Sequence, residues 1–162
     1  MLENVREGFA GLAVDSTFQE TALQHLERWL TEEEFSQYKE QLLSLIKNEK
    51  WELLLDCFYQ VIPFGTGGRR GRMGIGPNRI NQWTIKSSAQ GHAQYLLKQF
   101  GDDAKTRGVV LAYDVRYFHE KGEYDDSLPN PVMNMSCKDL AVAAAEVYIA
   151  NGIKTYIFSD VR

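Results

Sequence analysis

Cysteine, histidine and long apolar runs are all scarce in this chain of 162 residues. Cys57 and Cys137 lie far apart and neither has a partner at metal-ligand spacing, so we expect no disulfide framework, no metal ligands and reduced thiols, as in a cytoplasmic protein. No apolar run approaches the ~20 residues that cross a bilayer, and the segment Met1–Glu7 carries acidic residues where a signal peptide carries basic ones. Neither secretion nor membrane insertion is therefore expected.

Basic residues are few in the first part of the chain. Residues 1–62 hold five Lys or Arg against twelve Asp or Glu, and the whole chain has a net charge of -4. A surface of this sign repels a phosphate backbone, so nucleic acid is not an expected partner. With 44% apolar residues, the chain is long enough for one domain with a core, or for one domain with a small appendage.

Carboxylates are absent between Asp56 and Asp102, although this interval is rich in basic residues. Three of its arginines, Arg69, Arg70 and Arg72, lie within the glycine cluster of residues 64–76. Glycine lets backbone N–H groups converge on a charged ligand, and a guanidinium group offers a planar fork that matches phosphate oxygens. The sequence therefore predicts an anion site, with phosphate as the first ligand to consider.

Hydrophobic periodicity predicts a helical segment at the start of the chain. The pairs Thr17/Glu20 and Thr31/Glu34 have capping-box spacing and precede apolar residues at helical intervals. We expect two or three helices, ending near Tyr59, with a solvated acidic face.

The second part of the chain has the pattern of an α/β fold. A helix is predicted over Asn81–Phe100, and a second one, capped by Ser136, is predicted between two continuous apolar runs. The runs, at Val109–Tyr113 and Thr155–Phe158, predict strands buried on both faces and joined in parallel by a right-handed crossover. Ligands bind beyond the carboxyl ends of such strands, which directs attention to Asp114–Arg116.

Four motifs occur in a fixed order along the chain. They are Phe64-Gly-Thr-Gly-Gly-Arg-Arg-Gly71, Asn78-Arg79-Ile-Asn81, Tyr113-Asp-Val-Arg116, and the helix ending Ala150-Asn-Gly-Ile-Lys154 with its following strand to Phe158. This series resembles the first domain of the α-D-phosphohexomutases, and most closely their bacterial phosphoglucomutase/phosphomannomutase branch. Residues 17–62 match only as a helical pattern, whereas residues 63–116 and 137–158 match as motifs.

The resemblance implies an α/β fold in two parts. Residues 1–62 would form a helical N-terminal extension, and residues 63–162 an incomplete phosphohexomutase domain I, with a mixed, partly parallel sheet and flanking helices. The chain would stop before the phosphoserine loop, so the nucleophilic serine is expected beyond Arg162 and no residue of this chain is expected to be catalytic. This piece alone is expected to be inactive, with the missing C-terminal domains of the same chain as its partners.

The resemblance also implies a reaction. A phosphoserine gives its phosphoryl group to a sugar phosphate, the bisphosphate intermediate reorients, and the other phosphate returns to the serine. The net change interconverts hexose 1-phosphate and hexose 6-phosphate, which makes the enzyme an isomerase of carbohydrate metabolism. Mg²⁺, with ligands outside this chain, and glucose 1,6-bisphosphate, as activator or intermediate, are the implied cofactors.

Matching positions imply the roles of single residues. Arg70 would approach the phosphoserine or the substrate phosphate, and Arg116 would also bind phosphate. The residues that would shape the phosphate loop are Thr66, Gly67, Gly68 and Gly71, and those that would support it are Asn78, Arg79 and Asp114. For Asp114 and Arg116, a structural ion pair is an equally good interpretation.

Three alternatives stay open. A phosphopentomutase or a glucose-1,6-bisphosphate synthase would use the same scaffold, and a short noncatalytic protein could use the loop simply to bind phosphate.

The polar segment 117–135, which departs from the family's usual spacing, is interpreted as a flap or contact surface, or as an unstructured loop.

Overall fold

The structure, a computed structural model, describes residues 1–119 and 121–161. These residues divide into two compact units, described separately below. The helical unit comprises Met1–Ile80 with His119–Met133, and the α/β unit comprises Asn81–Phe118 with Asn134–Arg162. The domain boundary expected after residue 62 stays a prediction.

The helical unit has more helices than the sequence predicted. Four α-helices and one 3₁₀ helix occur in the described part of the unit, where two or three were expected. They are α1 (Leu2–Ala10), α2 (Ser16–Thr31), a 3₁₀ helix (Glu33–Tyr38), α3 (Lys39–Lys47) and α4 (Trp51–Phe58). The predicted end near Tyr59 is confirmed.

The two predicted capping boxes of this unit are wrong. Helix α2 starts one residue before Thr17, because the carboxylate of Asp15 accepts the Thr17 N–H at 2.8 Å and caps the helix first. Hydrogen bonds from the backbone and the side chain of Thr17 lower the pKa of Asp15, which keeps a negative charge at the positive end of the helix. Thr31 is the last residue of α2 and does not cap a following helix.

Aromatic side chains form the centre of the helical unit. The Trp29 ring stacks on Phe35 with centroids 4.4 Å apart, and Phe58 meets it edge-on at 5.6 Å. Tyr38 completes the cluster at 4.9 Å from Trp29, and its burial raises the pKa of its hydroxyl to about 12. All four side chains are buried, so this cluster ties α2, the 3₁₀ helix and α4 together.

The α/β unit contains the predicted parallel strand pair. Its elements are α5 (Gln82–Phe100), α6 (Asp102–Arg107), β3 (Val109–Leu111), α7 (Cys137–Ala150) and β4 (Thr155–Ile157). Strands β1 (Phe64–Gly65) and β2 (Gly68–Arg69) belong to the helical unit. Strands β3 and β4 pair in parallel, with Val109 opposite Thr155, and α7 connects them. The mixed α/β fold predicted from the sequence is confirmed.

Two helix starts of this unit were predicted correctly. Asn81 caps α5 and exchanges hydrogen bonds with Thr84, and Ser136 caps α7 in the same way with Asp139. Helices α5 and α7 then pack closely, because alanines such as Ala89 on α5 meet Ala144 on α7. None of the helices in the described ranges is both long enough and apolar enough to cross a membrane.

The prediction that both strands are buried on two faces is wrong. Val110 and Tyr156 lie opposite each other in the register and are 65% and 46% exposed. Val109 and Leu111 turn the other way and pack against the cluster of α5 and α7. In the described residues the helices thus cover one face of the strand pair, and alternation along each strand sends every second side chain to the other face.

Truncating Trp29 tests the importance of the aromatic cluster. Trp29→Ala should lower the free energy of unfolding by about 3–5 kcal/mol, because it leaves a large cavity among buried rings. The matched control is Phe18→Ala, whose side chain is 47% exposed and which should cost about 1 kcal/mol. Urea denaturation measures both, and equal losses would contradict a core centred on Trp29.

Candidate functional site

The predicted anion loop is a short hairpin. Strand β1 (Phe64–Gly65) pairs antiparallel with β2 (Gly68–Arg69), which leaves Thr66 and Gly67 as a two-residue turn. Gly68 has a φ of +105°, a conformation that glycine adopts without strain. We call residues 63–72 the anion loop.

An open cavity lies within the anion loop. It has a volume of about 430 Å³ and is lined by Pro63, Gly65, Thr66, Gly67, Gly68 and Arg70. The guanidinium of Arg70 approaches the turn closely, since a Cβ atom added to Gly67 would lie 3.3 Å from Arg70 Nη2. A side chain at position 67 would therefore crowd this arginine.

In the described residues, carboxylates form ion pairs with Arg72 and Arg79 but not with Arg70. Arg72 Nη2 lies 3.1 Å from Glu123 Oε1, and Arg79 Nη2 lies 2.5 Å from Asp56 Oδ2. Among residues 1–119 and 121–161, no carboxylate forms an ion pair with Arg70. The positive charge of Arg70 is thus available at the mouth of the cavity.

Hydrogen bonds from Asn78 hold the chain that follows the anion loop against α4. The N–H of Asn78 donates to the carbonyl of Cys57 at 3.0 Å, and its side-chain amide donates to the carbonyl of Asp56 at 2.8 Å. Gly76 has a φ of +118°, and a Cβ atom there would lie 2.6 Å from the Cys57 oxygen. The chain can approach α4 this closely because position 76 is glycine.

Arg79 is a buried arginine rather than a surface one. Its side chain is only 3% exposed and also donates to the carbonyls of Asp56 and Asn78. Asn78 and Arg79 therefore both contact neighbouring backbone at the base of the anion loop. Their supporting role stays a prediction that these contacts favour.

Asp114 and Arg116 form a tight ion pair in the α/β unit. The Asp114 carboxylate accepts the Arg116 backbone N–H at 2.9 Å and its Nε at 2.8 Å, with Nη2 at 2.6 Å. Hydrogen bonds from the Arg116 side chain and backbone lower the pKa of Asp114 well below its usual value of 3.8. The structural alternative weighed for this pair is thus present, while a ligand contact by Arg116 stays a prediction.

Neither thiol is prepared for nucleophilic chemistry. Burial raises the pKa of Cys57 to about 12. Burial and contact with the Asp114 carboxylate also raise the pKa of Cys137. In the described ranges, no group of three or more His, Cys, Asp or Glu side chains could hold a metal ion.

Sequence reasoning missed Glu123, the partner of Arg72. The two residues are far apart in the chain, and neither periodicity nor motif spacing links them. Only the absence of carboxylates between Asp56 and Asp102 hinted that the loop arginines need acids from elsewhere.

Comparison with known proteins identifies the class. Residues 61–124 match the family described as "Phosphoglucomutase/phosphomannomutase, alpha/beta/alpha domain I", a range that contains the anion loop and the Asp114–Arg116 pair. Residues 61–124 therefore match a domain of the phosphohexomutases, and the resemblance seen in the chain's motifs is confirmed.

Individual relatives match over a longer stretch. The chain is 35% identical to the phosphopentomutase of Mus musculus over 153 residues, which cover 94% of this chain and 22% of that protein. It is 35% identical to the glucose 1,6-bisphosphate synthase of Mus musculus over 132 residues (82% and 19%), and 34% identical to the phosphoglucomutase of Staphylococcus haemolyticus over 91 residues (56% and 15%). The chain therefore spans about a fifth of the length of these relatives. No solved structure matches it significantly.

Removing Arg116 tests the ion pair. In Arg116→Ala, the pKa of Asp114 should rise toward 3.8, because the guanidinium bonds are lost while the backbone bond remains. In the wild type the pair stabilises the fold above pH 3.8, and this contribution is lost as the pH falls below that value toward the lower folded pKa.

NMR titration of the carboxylates measures this change. Asp139 is the internal control, because its pKa is lowered by hydrogen bonds from Ser136 and should not move. An unchanged Asp114 titration in Arg116→Ala would contradict the pairing.

Proposed function

We propose that this chain supplies the phosphate-binding loop of a phosphosugar mutase. The observation that carries the proposal is Arg70, a loop arginine without a carboxylate partner among the described residues, at a cavity lined by glycines. Arg72 and Arg79 carry the same charge but are already paired. Of these three arginines, Arg70 would therefore attract a bound phosphoryl group most strongly.

The chemistry of the loop suits a phosphoryl group. A guanidinium group can donate two parallel hydrogen bonds to phosphate oxygens, and this geometry fixes the orientation of the group as well as its position. The exposed turn at Thr66 and Gly67 would add a hydroxyl and backbone N–H groups. The glycine at position 71 lets the end of the loop lie close to Ile62, since a Cβ atom there would lie 2.6 Å from Ile62 Cδ1.

Arg116 is proposed as a second phosphate contact of lower rank. Its side chain is 81% exposed, so a ligand could reach it, but both of its side-chain hydrogen bonds go to Asp114. Phosphate would have to compete with that carboxylate. Arg70 has no such competitor in the described residues and is therefore the better candidate.

The proposed reaction transfers phosphate between the two ends of a sugar. A phosphoserine donates its phosphoryl group to a free sugar hydroxyl, and the bisphosphate then turns round and returns its original phosphate to the serine. The serine, the Mg²⁺ ligands and the further domains belong, in this proposal, to the part of the relatives that this chain does not span. Mg²⁺ would neutralise charge on the transferred phosphoryl group. A cytoplasmic location is part of the same proposal.

The sugar has two candidate identities. The motifs favour a hexose phosphate, which would interconvert glucose or mannose 1-phosphate and 6-phosphate through glucose 1,6-bisphosphate or its mannose counterpart. The relative named phosphopentomutase matches 94% of the chain, whereas the one named phosphoglucomutase matches 56%, and this difference favours a pentose phosphate. Synthesis of glucose 1,6-bisphosphate is the further alternative, from the name of a relative that matches 82% of the chain.

The role of Arg70 can be tested by ligand binding. In the 162-residue chain, Arg70→Ala should weaken binding of inorganic phosphate by about tenfold to a hundredfold, because charge-assisted hydrogen bonds are lost. Arg107→Ala is the matched control, since that side chain is 77% exposed and lies outside the loop. Calorimetric titration gives both dissociation constants, and equal values for Arg70→Ala and the wild type would overturn the phosphate role.

The reaction and the sugar can be tested by activity. Sequencing the source gene past the codon for Arg162 defines the full reading frame, whose product is then assayed with glucose 1-phosphate and ribose 1-phosphate. We expect one of the two to be isomerised, with Arg70→Ala lowering kcat/KM by about 10²–10³. A stop codon after Arg162, together with intact phosphate binding, would instead favour the noncatalytic phosphate-binding protein.

A further inference from the structure

Residues 121–133, which we call the strap, fold back onto α3. The side chain of Gln41, fully buried, donates to the carbonyl of Asp125 at 2.9 Å and accepts the Asp125 N–H at 3.0 Å. The same amide nitrogen lies 3.2 Å from the carbonyls of Leu128 and Pro129. Buried glutamine is uncommon, and here one side chain satisfies several backbone groups of a segment without helix or strand.

The strap also contacts the region that follows the anion loop. The hydroxyl of Tyr124, a residue only 6% exposed, accepts the N–H of Ile75 at 2.8 Å. A Cβ atom on Gly74 would lie 2.7 Å from that hydroxyl, so the glycine at 74 permits the approach. Next to it, Glu123 forms the ion pair with Arg72, and its side chain is only 12% exposed.

We infer that the strap positions the anion loop for phosphate. Helix α3 holds the strap through Gln41, and the strap in turn holds the loop through Tyr124 and Glu123. These three are positioning residues. Tyr124 and Glu123 act through Ile75 and Arg72, Gln41 acts through the strap, and none of the three lines the cavity. The inference rests on the proposed function and assigns a purpose to the helical unit, which would be the support of the loop.

The physical reason for such a support is conformational entropy. A glycine-rich loop that orders only when phosphate binds gives up about 1 kcal/mol or more per residue, and this weakens binding. A loop fixed in advance by a buried hydrogen bond avoids part of that cost. Pairing Arg72 with Glu123 has a second effect, because it leaves Arg70 to bind the anion.

The test removes one oxygen atom. Tyr124→Phe keeps the buried ring but deletes the acceptor of the Ile75 N–H. The fold should therefore be retained while the hydrogen bond between the strap and Ile75 is lost. Tyr148→Phe is the matched control, because Tyr148 is also 6% exposed and its hydroxyl bonds to His92 in the α/β unit. Thermal melts establish that both variants are folded at the temperature of the assay.

The measurement is an NMR titration of the 162-residue chain with inorganic phosphate, followed at the amides of Gly67 and Gly68. We expect Tyr124→Phe to bind phosphate about threefold to tenfold more weakly, with Tyr148→Phe unchanged. Saturating phosphate should also slow hydrogen exchange of the Ile75 amide in the wild type and not in Tyr124→Phe. A residue that only stabilises the fold would not give this ligand-dependent difference.

Separate outcomes overturn separate conclusions. If Arg70→Ala loses phosphate binding but Tyr124→Phe binds as the wild type does, the strap inference is wrong and the proposed function stands. Equal losses in Tyr124→Phe and Tyr148→Phe would also overturn the inference. If the wild type does not bind phosphate, or if Arg70→Ala binds it as tightly as the wild type does, the proposed function fails and the inference fails with it. Should Tyr124→Phe not fold, Gln41→Met, which releases the other end of the strap, is expected to weaken phosphate binding in the same way.

Discussion

The electrostatic environment of Arg70 depends on the distribution of carboxylates around a group of arginines that has none nearby in sequence. The stretch between Asp56 and Asp102 contains no acid, so every neutralising group must come from its ends or from a distant segment. Asp56, on α4, pairs with Arg79, and Glu123, in the strap, pairs with Arg72. This leaves Arg70 without an acidic partner in the described residues, and a guanidinium in that state attracts an anion.

The helical unit gives these pairs a rigid base. The aromatic cluster around Trp29 fixes α4, and α4 presents the Asp56 and Cys57 carbonyls that receive the chain at Asn78. Glycines at the close approaches let the backbone come near without steric conflict. The glycine-rich segment is thereby held at both ends, by its chain connection to α4 and by the hydrogen bonds from Asn78 to the same helix.

Local sequence signals predicted much of the fold and little of the long-range bonding. The helix start at Asn81, the cap at Ser136 and the parallel β3–β4 pair follow from local patterns and were predicted correctly. Capping at Thr17 was wrong because Asp15 caps the helix two residues earlier, and the predicted burial of Val110 was wrong because an apolar run does not reveal which strand faces are covered. The anion loop was found from its composition, whereas the contacts of Gln41 and Tyr124 join segments whose relation only folding creates.

A crystal structure of the chain grown with tungstate would test phosphate binding at Arg70 most directly, because tungstate is a heavy phosphate analogue that anomalous scattering locates without ambiguity. We predict an anion in the cavity of the anion loop, within hydrogen-bond distance of the Arg70 guanidinium and of backbone N–H groups near Gly67. An anion bound at Arg116 with the loop cavity empty would contradict it, as would the absence of any ordered anion at saturating tungstate.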